Sequence, residues 1–108
     1  MPPESQFEIP ASFIALYLEP GRLKPHAARE VIAARYEFCE DLATMLTDHA
    51  ADVKGDLKVT EGDVLVRIYR GLLAEASGVN PKEAEWVVTR LAELLNWPRL
   101  MFGSESGT

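Results

Sequence analysis

The run from Pro25 to Val53 constrains this chain more than any other stretch of it. Ile32, Tyr36, Cys39, Leu42, Leu46, Ala50 and Val53 recur at three- and four-residue steps, the spacing that lines one face of an α-helix. Val31, Phe38 and Met45 widen that stripe on one flank. Glu30, Glu37, Asp41, Thr44 and Asp48 form the wet face. Pro25 suits a first turn, where its missing N–H costs nothing, and Gly55 suits a left-handed C-terminal position. The charges run in an unusual order. Arg29 and Arg35 come early; Glu37, Glu40, Asp41, Asp48 and Asp52 follow with no Lys or Arg among them. The helix dipole favours the reverse, so the partners of these charges are expected on another helix or on another protein.

Two further helices are predicted. Thr60 reads as an N-cap with Glu61 and Asp63 in the first turn. Val64, Leu65, Ile68, Leu72 and Ala76 make the stripe behind it, and Ser77-Gly78 ends it. The next start is the clearest in the chain: Asn80 caps, Pro81 takes the first helical position, and Glu83 follows three residues after the cap. Ala84, Val87, Val88, Leu91, Ala92 and Leu95 form its stripe, closed by Trp97-Pro98. The apolar run Phe13 to Leu18 fits a buried strand or two turns of helix. Nothing else offers a strand to pair with it, and an unpaired strand leaves its backbone polar groups unsatisfied. A short helix or an extended segment laid over the other helices is expected, with a turn at Glu19 to Arg22.

The expectation is therefore an all-α, three-helix domain over residues 11–98, with a short N-terminal apolar segment and sequential helices packed antiparallel. Residues 1–10 and 99–108 read as mobile tails, with Leu100, Met101 and Phe102 docking before the end. With 108 residues, 47% of them apolar, the chain has enough for one modest core.

A formal net charge of −6 argues against nucleic acid and anionic membranes as partners. The single cysteine, Cys39, allows no internal disulfide and no multi-thiolate zinc site. Met1 to Pro10 carry neither the basic nor the long apolar region of a secretory signal and are not expected to act as one, and no stretch has the apolar length of a membrane span. A cytoplasmic protein is expected.

No side chains assemble into a recognisable catalytic, cofactor-binding or metal-ligating set. Glu37, Asp41, Thr44 and Asp48 lie in a row, whereas divalent cations are held by carboxylates that converge. Arg67, Arg70 and Arg90 are the internal cations suited to those acids. Arg22, Lys24, Arg29 and Arg35 form a basic cluster without the glycine loop that cradles phosphate. His49 has only Asp48 and Asp52 beside it, too few for a metal. Cys39 falls on the apolar stripe and reads as core, with Glu40 and Asp41 opposing a thiolate. Trp86, Arg90 and Leu94 lie off the main stripe of the last helix, and Trp86 is expected to pack on Phe13 to Leu18. A DNA-reading last helix is disfavoured by Glu83, Glu85 and Glu93.

The reading from residues is a non-enzymatic module that works through protein contacts, including self-association as a homodimer. In such a dimer the basic start of one long helix would meet the acidic end of its mate. The residues singled out are Arg29, Arg35, Glu37, Asp41, Asp48, Trp86 and Arg90. The rival is a ligand-binding domain or small enzyme with a pocket lined by Tyr36, Cys39, His49 and Trp86.

Three stretches also carry a resemblance: Ala33 to Ala43, Thr60 to Leu65 with Gly71 to Leu73, and Glu85 to Leu95. Together they resemble a family of small proteobacterial proteins of uncharacterised function, some labelled as an ATPase with chaperone activity. The resemblance implies a bacterial protein and assigns no catalytic residue. The chain has no phosphate loop ending in Gly-Lys-Ser/Thr.

Overall fold

The computed structural model describes residues 9–18, 21 and 26–100. Helix α1 (Ala11–Ile14) runs into a single 3-10 turn (Ala15–Tyr17). Three longer helices follow: α2 (Arg29–Leu57), α3 (Glu61–Leu72) and α4 (Pro81–Leu95), with another 3-10 turn (Glu75–Ser77) between the last two. The described residues contain no strand, and the Phe13 to Leu18 run is helical through Tyr17, with Leu18 extended.

The helix ends follow local chemistry. Thr60 Oγ1 accepts the Asp63 N–H at 3.1 Å. At α4 the capping box closes: Asn80 Oδ1 accepts the Glu83 N–H at 2.8 Å, and Glu83 Oε1 accepts the Asn80 N–H at 3.0 Å. Asn96 turns left-handed at φ 61°. The Trp97 N–H bonds Ala92 O at 2.8 Å and the Asn96 N–H bonds Glu93 O at 3.2 Å, which is a Schellman ending. Helix α3 stops at Leu72, short of Ala76, because the Ser77 hydroxyl donates to the Leu72 carbonyl at 2.6 Å. That bond takes up a carbonyl left open at the helix end.

The long helix departs from expectation at both ends. It starts at Arg29 after Ala28, which has no side-chain cap; Pro25 lies outside the described residues. It also runs through Gly55 to Leu57, and Lys58 takes the left-handed position at φ 55°. One mid-helix glycine costs about 1 kcal/mol, too little to end a helix that is packed elsewhere.

Small side chains fill the centre of α2. Ile32, Cys39, Ala43 and Ala50 are buried, while Tyr36, Leu42, Leu46 and Val53 line the margins half-buried. Small residues on that line let α4 approach closely with Val87, Val88, Leu91 and Ala92. Two ion pairs give the direction: Arg35 meets Glu83, and further along Glu40 meets Arg90. Both helices climb together, so α2 and α4 run parallel, with α3 the antiparallel element between them in sequence. Arg90 thus finds an acid of the long helix in a parallel packing, where an antiparallel one was expected.

Phe13 is fully buried under an aromatic cluster. Its ring stands edge-on to Trp86 at 5.0 Å and to Tyr36 at 5.7 Å, a preferred aromatic geometry. Trp86 Nε1 donates to Ser12 Oγ at 3.0 Å, so the last helix packs on the N-terminal segment as anticipated. Ile9, expected in the tail, is buried in this core, and Leu100 packs against it. Residues 1–8, Met101 and Phe102 lie outside the described residues.

Candidate functional site

The buried carboxylate of Glu83 holds the N-terminal ends of α2 and α4 together. Its side chain is 3% exposed. Arg35 grips it with Nε to Oε2 at 2.8 Å and Nη2 to Oε1 at 2.7 Å, and Tyr17 donates its hydroxyl to Oε2 at 3.3 Å. The Asn80 N–H is a further donor. Burial pushes the carboxyl up, but the Arg35, Asn80 and Tyr17 hydrogen bonds outweigh it and hold the group below its usual range. The same contact raises the Arg35 guanidinium. Burial, then the Glu83 charge, raises the Tyr17 phenol. Arg35 Nη2 also donates to Gly78 O at 2.7 Å. Arg35 is therefore an internal clamp, not part of an open basic cluster. Its removal from the basic start leaves Arg29 as the described cation there; Arg22 and Lys24 lie outside the described residues.

A second clamp sits further along the same two helices. Arg90 Nε donates to Glu40 at 2.9 Å, Nη2 reaches the same carboxylate at 3.0 Å, and Nη1 reaches Glu93 at 3.1 Å. The pair is partly exposed and contributes about 0–1 kcal/mol; its use is to set the rotation of α2 against α4. Arg90 and Trp86 are thus engaged within the fold. Arg67 and Arg70 make no ion pair with a described residue.

Cys39 lies in the core with no exposure, and its thiol is pushed up to about 12, first by burial and then by the Glu83 charge. The acid responsible is Glu83, from another helix, and not its sequence neighbours Glu40 and Asp41. His26 is exposed, with its ring 5.6 Å from Tyr17.

The pocket set Tyr36, Cys39, His49 and Trp86 is not assembled. Tyr36 and Trp86 line an open cleft of about 740 Å³ between α1 and α4. His49 lines a groove on another side of the molecule, and Cys39 lines neither. In the cleft, Arg90 is held by Glu40 and Glu93, Ser12 by Trp86, and Thr89 by the Glu85 carbonyl. Lys82, Glu85 and Arg99 also line it, in no ion pair among the described residues. Among the described residues, no three His, Cys, Asp or Glu side chains gather as metal ligands.

What α2 turns outward is different in kind. Val31, Phe38 and Met45 were expected to widen the core stripe, but they are 51%, 40% and 71% exposed. No other helix covers that flank, because α4 and α3 occupy the line of small residues beside it. Phe38 is steadied by the Arg35 guanidinium, 4.9 Å from its ring centre, and by Gly78 beneath it. Toward its C-terminal end α2 forms a groove with α3, of about 370 Å³, between Leu46, His49, Val53 and Leu57 and the residues Ile68 and Gly71. Leu57 is 51% exposed at its end. Alongside run Glu30, Glu37, Asp41, Asp48 and Asp52, all exposed and in no ion pair among the described residues.

Among the described residues no helix is long and apolar enough to cross a membrane. No family model, curated protein or solved structure matches the chain.

Proposed function

We propose that the chain is a non-enzymatic protein-interaction module of the cytoplasm, and that the outer flank of α2 is its contact surface. The observation that carries this reading is the exposed line Val31, Phe38 and Met45 beside unpaired acids. Exposed apolar side chains that stand singly need no explanation; aligned on one rigid helix and rimmed by charge, they are what contact surfaces use. The Arg35–Glu83 and Arg90–Glu40 clamps support it by fixing the helix that presents the line. The chaperone part of the label on the family this chain resembles accords with a contact role. The ATPase part lacks its phosphate loop.

The test is retention from the lysate of cells that make the protein, with the full chain and its Met45→Ser variant as paired baits. Proteins or further copies of the chain held by the first and lost by the second support the reading. Identical profiles contradict it.

A further inference from the structure

Resting on that reading of α2, we propose that the occupant of the flank is an amphipathic helix of a partner protein, with Lys and Arg along one border. The first argument is shape. Val31, Phe38 and Met45 are spaced by seven residues, the interval at which one helix meets another lying along it. The track then enters the α2–α3 groove at Leu46 and leaves it at Leu57. At about 1.5 Å per residue it extends for roughly 39 Å, the length of a long helix and not of a small ligand. Gly71 lines the groove, and a Cβ built there meets nothing within 4 Å. Bare backbone at that point lets another chain come close.

The second argument is charge. Glu30, Glu37, Asp41, Asp48 and Asp52 border the track on its outer side, and no Lys or Arg stands between Tyr36 and Val53. These acids are exposed and lack ion-pair partners among the described residues. A helix whose bordering residues are Lys and Arg completes the surface; one bordered by Asp and Glu is repelled. The same argument disfavours a second copy. Pairing α2 with its own mate sets this acidic row against itself, between chains that each carry a net charge of −6. Arg67, at the other bank of the groove, suits an acid on the partner helix's far border.

The experiment uses the full chain and a labelled peptide of about 20 residues, enough for some 30 Å of helix. The peptide has Leu on the heptad face and Lys and Arg at the borders. A companion peptide of the same pattern has Glu at those borders. Binding is followed by fluorescence anisotropy at low and high salt. The basic peptide is expected to bind and the acidic one to fail. Met45→Ser is expected to weaken binding about tenfold, as loss of a central anchor does. Asp41→Lys with Asp48→Lys is expected to weaken it by about the same factor at low salt and less at high salt, where exposed charges are screened. All three positions are exposed, so circular dichroism should show each variant folded. Equal binding of the two peptides overturns the proposal, as does basic-peptide binding that neither variant weakens. A chain that binds neither peptide but doubles its mass in solution through Met45 has a second copy on the flank; the proposal then fails while the contact reading stands. Binding of neither peptide by a monomer overturns the proposal too, and retention of Met45-dependent proteins alone decides the reading beneath it.

Discussion

Removing the Glu83 carboxylate should cost the fold about 2–4 kcal/mol. The figure comes from what the group does. It accepts two charge-assisted bonds from Arg35, each worth roughly 1.5–3 kcal/mol when buried. The Arg35 side chain is 33% exposed while Glu83 is 3%, so water recovers part of what the cation loses, and those terms are cut to about half. The reciprocal half of the α4 capping box adds about 0.5–1 kcal/mol. For a domain of this size each kcal/mol moves Tm by roughly 4–8 °C, so Glu83→Ala should melt at least about 8 °C below wild type. Glu83→Gln retains the side chain's shape and can still accept the Asn80 N–H, and it should lose about half as much. The pH dependence has a definite sign. The folded carboxyl lies below its unfolded value, near 4.3. Its contribution is therefore fully present above that value and is lost as pH falls through the lower folded one. The gap between wild type and Glu83→Gln should close in that acid window. Urea and thermal unfolding followed by circular dichroism give all these quantities. Both variants within about 0.5 kcal/mol of wild type at neutral pH, the scatter of ordinary surface changes, would refute the clamp.

Cys39 should resist alkylation in the native protein and react fully once it unfolds, because its thiol is buried and pushed up to about 12; mass spectrometry after iodoacetamide reads this, and rapid native labelling would contradict the packing. Gly78→Ala should destabilise by about 1–2 kcal/mol, since Gly78 sits at φ 87° and an added Cβ would lie 3.3 Å from Phe38 Cζ; unchanged unfolding midpoints would show that the connection relaxes freely.

Most helix boundaries were legible because they rest on local hydrogen bonding. Thr60, Asn80 and Glu83 announce their caps within a few residues of sequence. The start of α2 at Arg29 and its continuation through Gly55 were not legible, since neighbouring elements decide them. The width of the core face of α2 was misjudged for a related reason. The stripe Ile32, Tyr36, Cys39, Leu42, Leu46, Ala50 and Val53 does face the core, but Val31, Phe38 and Met45 beside it are exposed, and buried Ala43 gave no hydrophobic signal of its own. The weak two-sidedness of α2 beside the sharply two-sided α3 was the available sign of a second apolar face. Arg35 was read as one of a basic cluster because its partner lies 48 residues away. Glu83 shows in sequence as a capping residue, and nothing there says that it also serves a buried clamp. The unpaired acids of α2 were legible from the start, as a charge order that asks for a partner elsewhere.

The central claim is that the exposed flank of α2 touches another protein, and site-specific photo-crosslinking tests it most directly. A photoreactive residue placed at Met45, the most exposed large apolar side chain among the described residues, should give a discrete protein adduct in living cells. The same residue at Lys82, exposed on α4, serves as the control and should give none. An adduct at position 45 and not at 82 is the predicted result; no adduct at 45, or equal adducts at both positions, contradicts the account.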